Sequence, residues 1–557
     1  MKKSLLVLLS VIVLVIFFGP IKLKANSNGF EKVYCEATIE DEFIDNQILV
    51  VVGKEKSLNY YDFKNSDFIE VGCINIEDLT ASRKEEVLAR VNGEDNNINL
   101  DTFRRILLLT LNKHDKQNVL DCIKKLEKRD DIKGAEPNYC DIIIDEENDN
   151  EKYSLLTRSV STDDTDAYEV INNEIIQWAT SKISLEQAWE VEDDIEDLSP
   201  VNVVIIDEGV QAMPNGCSDE NHTGHIELIG VVDTINSRYF KSNDNDNYSC
   251  NECGVNYIRA LEDKSGHGTF IAGIIGAKND NYGIRGVSKT ANIISYNFDI
   301  NGSADANAGD DGRSNFVDAI ISASNLSGNV IINASYEYSE YSFAEYTAIS
   351  NFNGLLVCCA GNSNNNLDKI PIYPASHALE NIITVGASTV NDNIWEGSNY
   401  SIVSVDLFAP GHDIISALSS SYNGLYEEAE LAGYCIKSGT SYAVPYVAGV
   451  ASMIWSRYPN LSALDVKDRI LSNVDYSSVY YGKCVTGGRL NAYKAYIGEH
   501  THNIGYLNYD NNYHTKECNS CYYFKKEAHL WRSVSLRAVP VLPGLKRCIL
   551  CGAEKIV

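Results

Sequence analysis

One serine of the chain stands in a setting that suits a nucleophile. Ser441 follows Gly439 and Thr440 and precedes a long run of small and apolar residues, which predicts a buried helix starting near the serine. Backbone N–H groups and the positive end of the dipole at a helix N-terminus can stabilise an oxyanion there. A capped core helix is the alternative, because serine is also a favoured N-cap residue. Pro445, which a helix tolerates only near its first turn, favours a constrained site.

Three further side chains supply what a weak hydroxyl nucleophile needs. Asp207 ends an apolar run, His267 stands in Gly266-His267-Gly268-Thr269, and Asn362 follows a second apolar run. An imidazole can accept the serine proton, a carboxylate can fix its tautomer and balance its charge, and an amide can donate to the oxyanion. Each residue alone could be structural. Their joint occurrence in the order Asp, His, Ser indicates a catalytic triad, in an order that differs from those of α/β-hydrolases and chymotrypsin.

The elements predicted around these residues form a doubly wound α/β fold. The nearly continuous apolar run at 201–206 is typical of a parallel strand buried on both faces. Four further buried strands and two intervening helices are predicted, the strands at Ala291–Phe298, Val330–Ser335, Leu355–Ala360 and Ile382–Ala387, and the helices at Thr269–Gly276 and Asn315–Ser324. Active sites of such sheets lie at the carboxyl ends of the strands, where Asp207, Asn333 and Asn362 fall.

On these motifs the chain resembles the subtilisin-like serine proteases (subtilases, peptidase S8) from about Trp178 to Ala495. The matching segments are Val204–Val210, Gly266–Thr269, Ala360–Asn362, Gly439–Pro445 and Gly488–Ala492. The resemblance implies that Asp207, His267 and Ser441 are the triad, with Asn362 and the Ser441 N–H as oxyanion donors. It also implies a subtilisin-like, mostly parallel sheet with helices on both faces.

The resemblance further implies substrate-binding residues on two segments. They are Ser335, Tyr336, Glu337, Ala360 and Gly361. Glu337 stands where the family usually has glycine, and its carboxylate is expected to narrow the groove and to favour basic side chains. Two other departures are Glu208, which interrupts the aspartate motif, and a long separation of Asp207 from His267, which indicates an insertion.

The chain before this region is expected to be a small α+β unit, residues 26–145, similar to the inhibitor-I9-like pro-domain of the family. Such a pro-domain assists folding and inhibits its own enzyme. Its predicted elements are strands at Ile48–Val52 and Ile106–Leu111, helices at Asp78–Arg90 and Gln117–Arg129, a turn at Ile132–Tyr139 and a last strand at Asp141–Asp145.

Residues 146–175 are interpreted as a linker that contains the processing site, either at Thr157-Arg158-Ser159 or nearer Tyr168. The peptidase domain is expected to span 176–497 and a Cys-rich module 498–557. A helix from Trp178 to Trp189 is predicted, with Ser184 and Gln187 as its capping box.

The N-terminus and the charge bear on compartment and partners. Two lysines precede an apolar run from Leu5 to Phe18, which predicts a signal peptide at residues 1–25 and hence secretion. The alternatives are that the apolar segment stays uncleaved as a membrane anchor and that the protein associates with the cell envelope. Otherwise, contact with a membrane is expected only transiently, through the signal peptide. The net charge of −31 over 557 residues argues against nucleic acid as a partner.

Two segments are candidate metal sites. The run Asn243–Asn247 could ligate structural Ca²⁺, although it lacks the glycine and distal glutamate of an EF-hand, and a solvated loop is the alternative. In the tail, Cys518, Cys521, Cys548 and Cys551 form two CxxC pairs that suit a zinc ribbon, with two disulfides as the competing interpretation in an exported protein. Cys358 and Cys359, in a predicted buried strand, are expected to be structural thiols.

The sequence therefore predicts a secreted serine endopeptidase that is made as a self-processing zymogen and needs no cofactor for catalysis. Protein or peptide is the expected substrate, and the chain's own pro-domain the expected inhibitor. A catalytically silent subtilase scaffold that acts as an extracellular binding protein is the alternative. The triad alone would also permit an esterase, against which the peptide-groove strand and the pro-domain argue.

Overall fold

The fold is described from a computed structural model. It describes residues 32–92, 100, 102–140, 168–171, 174–212, 224–240, 248–249, 256–257, 261–263, 265–280, 282–298, 312–419 and 433–498, together with the backbone of short strands between 504 and 556. The predicted signal peptide and the Asn243–Asn247 run lie outside these residues.

Residues 32–140, the N-terminal unit, form an antiparallel sheet of order β2-β3-β1-β4. Its strands are β1 (Phe43–Val52), β2 (Cys73–Asp78), β3 (Ile106–Leu111) and β4 (Ile132–Tyr139), and its helices are α1 (Lys54–Leu58), α2 (Lys84–Val91) and α3 (Lys116–Leu126), with 3₁₀ turns at Asn65–Val71 and Ala81–Arg83. The face of α3 predicted from its spacing is buried against one side of the sheet: Val119, Cys122, Ile123 and Leu126.

Two predictions for this unit are wrong. The segment Ile132–Tyr139, predicted as a turn that leads into a last strand, is strand β4, and the predicted strand Asp141–Asp145 lies outside the described residues. β4 is an edge strand, where a proline removes no ladder hydrogen bond that the sheet needs. The predicted helix Asp78–Arg90 begins later, because Asp78 still belongs to β2.

Between the two units, β5 (Tyr168–Ile171) and β6 (Glu174–Gln177) form a hairpin. The predicted helix from Trp178 to Trp189 is two helices, α4 (Trp178–Lys182) and α5 (Leu185–Asp193). Ser184 makes no capping hydrogen bond with its side chain, because it takes a left-handed φ of 57° where the chain changes direction. The predicted capping box is therefore wrong.

The second unit is built on a nine-stranded sheet of order β18-β19-β15-β14-β13-β12-β7-β11-β8, parallel except at β18. Its strands are β7 (Val201–Asp207), β8 (Arg238–Tyr239), β11 (Ala291–Asn297), β12 (Val330–Ala334), β13 (Leu355–Cys359), β14 (Ile382–Ser388), β15 (Leu407–Pro410), β18 (Asp475–Tyr476) and β19 (Gly488–Arg489). Two separate antiparallel pairs are β9 (Tyr248–Ser249) with β10 (Asn256–Tyr257), and β16 (Ile414–Ala417) with β17 (Tyr434–Lys437).

Helices cover both faces of this sheet. They are α6 (His267–Gly276), α7 (Arg313–Ala323), α8 (Phe343–Ser350), α9 (Thr440–Arg457), α10 (Ala463–Leu471) and α11 (Ala492–Ile497), with a 3₁₀ turn at Ile226–Leu228. Alternate residues of β7 face opposite cores: Val203 and Ile205 pack with α6 and α9, whereas Val204 and Ile206 pack with α7 and α8. The mostly parallel α/β fold predicted from the apolar runs is therefore confirmed.

The tail is described by its backbone alone. β20 (Ile504–Asn508), β21 (Tyr513–Cys518) and β22 (Phe524–Ala528) form one antiparallel sheet, and β23 (Trp531–Ser533), β24 (Leu545–Cys548) and β25 (Glu554–Ile556) form another. Across the described residues, no helix combines the length and the apolar character needed to cross a membrane.

Close packing of α9 against Val287 gives a stability prediction. A Cβ atom at Gly449 would lie 2.6 Å from Val287 Cβ, so Gly449→Ala is expected to lower the free energy of unfolding by about 1–3 kcal/mol. Val287→Gly removes the obstructing Cβ atom together with both γ-methyl groups, which would lie at 2.7 and 3.3 Å from the added Cβ. The double variant should therefore lose less than the sum of the single variants, by about 1 kcal/mol. Denaturant unfolding measures all three, and strict additivity would contradict the packing argument.

Candidate active site

Ser441 is the second residue of α9, and the turn before it is fastened to the segment after β13. The backbone N–H and the hydroxyl of Thr440 each donate to Asn362 Oδ1, at 2.8 Å, and Gly361 N donates to Thr440 Oγ1 at 3.0 Å. These bonds turn the amide nitrogen of Asn362 toward the start of the helix, where a Cβ atom at Gly439 would lie 3.3 Å from it. The sequence-predicted nucleophile and oxyanion donor are thus brought together.

Pro445 lies inside α9, and a side chain compensates for its missing N–H. An N–H at this position would bond the carbonyl of Ser441, four residues earlier. That carbonyl instead accepts a 3.1 Å hydrogen bond from Ser335 Oγ, which in turn accepts from Asn333 Nδ2 at 3.0 Å. Ser441 Oγ lies 3.5 Å from the Ser335 carbonyl oxygen. The helix therefore continues past the proline, and Ser441 is hydrogen-bonded to Ser335 at the end of β12.

Asp207 and His267 form a close, buried pair. Asp207 ends β7, and His267 opens α6. His267 Nδ1 lies 2.9 Å from both carboxylate oxygens, and Glu208 N donates to Asp207 Oδ1 at 2.9 Å. Because a carboxylate only accepts, we assign the proton to Nδ1 and leave Nε2 as the acceptor. Nε2 is buried and has no hydrogen-bond partner among the described residues.

The environment of His267 acts on its pKa in two directions. Burial disfavours the charged imidazolium, but the charge and the hydrogen bond of Asp207 outweigh it, so the pKa of His267 lies above its ordinary value of 6.5. Burial, together with the negative charge of Asp207, raises the pKa of the neighbouring Glu208 carboxyl to about 7. The pairing of the Asp207 carboxylate with the His267 imidazole therefore stabilises the charged form of that imidazole.

Asp263 is a residue of the site that sequence reasoning missed. Its fully buried carboxylate accepts from Gly266 N at 2.7 Å and from Thr269 N at 2.8 Å, which anchors the start of α6. Burial raises its pKa, while the hydrogen bonds from Thr269 oppose this shift. An aspartate shortly before a predicted helix was the available signal, since aspartate is favoured at helix starts. Asp263 therefore anchors the start of the helix that carries His267.

The residues predicted to bind substrate lie in two different environments. Four of them lie next to the contact between the start of α9 and Asn362: Ser335, Glu337, Ala360 and Gly361. The ring of Tyr336 instead packs in the core, 4.5 Å from Phe316 between ring centroids, and is 1% exposed. Any contribution of Tyr336 to a groove would come from its backbone. The substrate-binding role of this set stays a prediction.

The metal and cysteine predictions are answered only in part. The described residues include no group of three or more His, Cys, Asp or Glu side chains that could hold a metal ion. Cys518 and Cys548 end β21 and β24, while Cys521 and Cys551 lie outside the described residues. Zinc or disulfides in the tail, and calcium at Asn243–Asn247, therefore stay predictions. Cys358 and Cys359 are buried in β13, and burial raises the pKa of the Cys358 thiol to about 12.

The pairing with Asp207 predicts how His267 titrates. By NMR, the imidazole of His267 should titrate above 6.5, because the carboxylate stabilises its charged form. Asp207→Asn leaves the burial but removes the charge, so its His267 should titrate below the wild-type value. Equal His267 titration in both proteins would contradict the pairing.

Comparison with known proteins places this arrangement. The model of the subtilase family (peptidase S8) matches residues 199–503. Thermitase of Thermoactinomyces vulgaris is 31% identical over 326 residues, which cover 57% of this chain and 95% of that relative. Subtilisin-like protease 2 of Plasmodium falciparum is 28% identical over 288 residues, 50% of this chain but 19% of its own length. This chain thus spans only about a fifth of the Plasmodium protein.

Among solved structures, fervidolysin from Fervidobacterium pennivorans, described as a keratinolytic enzyme related to subtilisin, superposes with a TM-score of 0.55. The match covers 86% of this chain and 65% of that one, at 20% sequence identity, and therefore supports the fold alone. The family match spans more than half of the chain and contains Asp207, His267, Asn362 and Ser441. The chain belongs to the subtilase family.

Proposed function

We propose that this protein is a serine endopeptidase that hydrolyses peptide bonds through an acyl-enzyme on Ser441. One observation carries the proposal. The buried Asp207–His267 pair and the contact of Thr440 with Asn362 lie on one unit, whose helix α9 carries the candidate nucleophile Ser441 as its second residue. Family membership supports the same reaction class.

In the proposed reaction, Ser441 Oγ attacks the peptide carbonyl while His267 Nε2 accepts the hydroxyl proton. Asp207 holds Nδ1 and balances the imidazolium. The oxyanion is stabilised by Asn362 Nδ2 and by the backbone N–H of Ser441 at the positive end of α9, a contribution of about 3–4 kcal/mol per donor in such sites. His267 then protonates the leaving amine as the peptide C–N bond breaks. A water attacks the acyl carbon while His267 accepts its proton, and His267 returns that proton to Ser441 Oγ as the acyl–Oγ bond breaks and the acid product leaves. Every group used belongs to the chain, so we propose that catalysis needs no cofactor.

We also propose that the N-terminal unit is an inhibitory pro-domain. Its sheet face, which includes Leu49, Val51, Ile106 and Leu108, packs in the same core as α7 and α8. Two polar side chains of β4 cap those helices. Glu136 accepts from Ser342 Oγ at 2.6 Å, Phe343 N at 2.7 Å and Ala344 N at 3.1 Å at the start of α8.

Asn138 makes the corresponding contact at α7. Its Oδ1 accepts from Ser314 N at 2.8 Å, and its Nδ2 donates to Ser314 Oγ at 2.9 Å. A buried carboxylate and a buried amide thus satisfy backbone groups that the helices alone leave unpaired. This interface supports a unit that assists the folding of the peptidase and stays bound to it. Secretion follows from the predicted signal peptide and is proposed with it.

Self-processing tests the proposed reaction. The purified full chain should be cut between about residues 145 and 173, whereas Ser441→Ala should remain uncut, because only the former has the nucleophile. Mass spectrometry and N-terminal sequencing give the product and the cut residue. If both proteins remain intact, the silent-scaffold alternative is favoured. If both are cut alike, a different protease matures the chain, and a serine-directed label must then decide whether Ser441 reacts.

Two like charges across the interface predict that docking depends on pH. Burial, and then the charge of Glu77 on β2, raises the pKa of Asp318 on α7 to about 6. A carboxyl whose pKa is higher in the docked state favours docking at low pH, and this contribution is lost as the pH rises through about 6. In the uncut Ser441→Ala protein, the thermal midpoint should therefore fall between pH 5 and pH 8. Adding Asp318→Asn should reduce that fall, and an unchanged pH profile would contradict the assignment.

A further inference from the structure

Glu337 places a carboxylate where the two segments that flank Ser441 meet. It follows β12 by three residues, is 7% exposed, and reaches across to the main chain of Gly361. A methyl group on Gly361, which has a φ of +87°, would overlap the Glu337 carboxylate. Gly361 immediately precedes the candidate oxyanion donor Asn362. The carboxylate therefore lies within one residue of the group that would bind the reacting carbonyl.

The frame around this carboxylate is held by hydrogen bonds rather than by loop packing alone. Asn399 Nδ2 donates to the Ala360 carbonyl at 2.8 Å, and Asn399 N donates to the Gly361 carbonyl at 2.9 Å. Asn399 Oδ1 accepts from Asn365 N at 2.7 Å. On the other side, Ser335 Oγ is bonded to the Ser441 carbonyl. The segment that follows β13 and the end of β12, between which the Glu337 carboxylate lies, are thus each held in place by hydrogen bonds.

The reaction geometry determines which substrate side chain meets Glu337. With the reacting carbonyl carbon at Ser441 Oγ and its oxygen at Asn362, the α-carbon of the same residue is one bond away. In the proposed binding mode, its side chain enters between the segment that carries Ser335 and Glu337 and the segment that carries Gly361 and Asn362. The carboxylate of Glu337 lies between those two segments.

We propose that Glu337 makes this enzyme select a lysine or an arginine at the residue whose carbonyl is attacked. This rests on the proposed endopeptidase function. A largely buried carboxylate interacts strongly with a cation that enters the same low-dielectric space, and a guanidinium can bond both of its oxygens. The Glu337 carboxylate also repels acidic substrate side chains and leaves less space for large apolar ones. The net charge of −31 further attracts cationic substrates.

The chain's own connecting segment fits this specificity. Among residues 141–167, between the N-terminal unit and the hairpin that precedes the peptidase, the only basic residues are Lys152 and Arg158. A self-processing enzyme with this preference should cut after Lys152 or after Arg158. The same specificity thus applies within the chain and to external substrates.

The test compares peptide amides that differ only at the residue before the cleaved bond, which is Arg, Lys, Gln or Phe. The processed full-chain enzyme should favour Arg or Lys over Phe in kcat/KM by on the order of 100-fold. Glu337→Gln keeps the shape and removes the charge, so the advantage of Arg or Lys over Phe should fall to within about threefold. Glu337→Asp, which keeps the charge, should retain part of it.

The matched control is Glu380→Gln, which removes an exposed carboxylate of the same unit and should behave as wild type. A wild-type preference for Phe, or an unchanged Arg preference in Glu337→Gln, overturns the specificity proposal while the endopeptidase proposal stands. The wild-type ratio alone decides if a variant does not fold. If no peptide is cleaved and a fluorophosphonate label does not modify Ser441, the proposed function fails, and this proposal fails with it.

Discussion

The start of α9 is held from two directions, and the candidate site depends on that constraint. On one side Thr440 is bonded to Asn362, and on the other the Ser441 carbonyl is bonded to Ser335. The second bond exists because Pro445 cannot supply the usual intrahelical N–H. The proline thus contributes to holding the helix start in place. The Ser441 carbonyl has no intrahelical donor, and it accepts instead from Ser335 at the end of β12. Ser441 is positioned by the sheet as well as by its own helix.

The parallel sheet explains why these residues meet at all. Its strands are buried on both faces, so side chains that must reach the surface can do so only at the strand ends. In the sheet order, β11 lies beside β7 on one side. On the other side β12 lies beside β7, and β13 and β14 follow it in turn. The chain therefore reverses direction across the sheet between β7 and β12, and crevices for ligands form at such points. Asp207, Ser335 and Asn362 follow or end the strands on both sides of that crevice.

What the sequence could predict follows from how local each signal is. The buried strands were predictable because each is a short apolar run. The positions of four candidate site residues were predictable because each lies near a strand end or a helix start: Asp207, His267, Asn362 and Ser441. Strand β4 was not, because Gly134 and Pro137 read locally as a turn, and only its edge position and its docking against α7 and α8 make a strand there favourable. The break at Ser184 and the anchoring by Asp263 likewise depend on tertiary contacts that spacing does not encode.

The N-termini of four helices around the site follow one electrostatic rule. Asp263 bonds the first amides of α6, Asn138 bonds α7, and Glu136 bonds α8, so three helix starts are matched with a carboxylate or an amide oxygen from outside the helix. Such groups accept hydrogen bonds from backbone N–H groups that have no partner within the helix. Their negative charge or partial charge also interacts favourably with the positive end of the helix dipole. At α9 the proposed partner is instead the oxyanion that forms during the reaction. On this view, the N-terminal unit binds through the same physics that would stabilise the transition state, and a peptidase that has lost Glu136 and Asn138 must satisfy α7 and α8 with water.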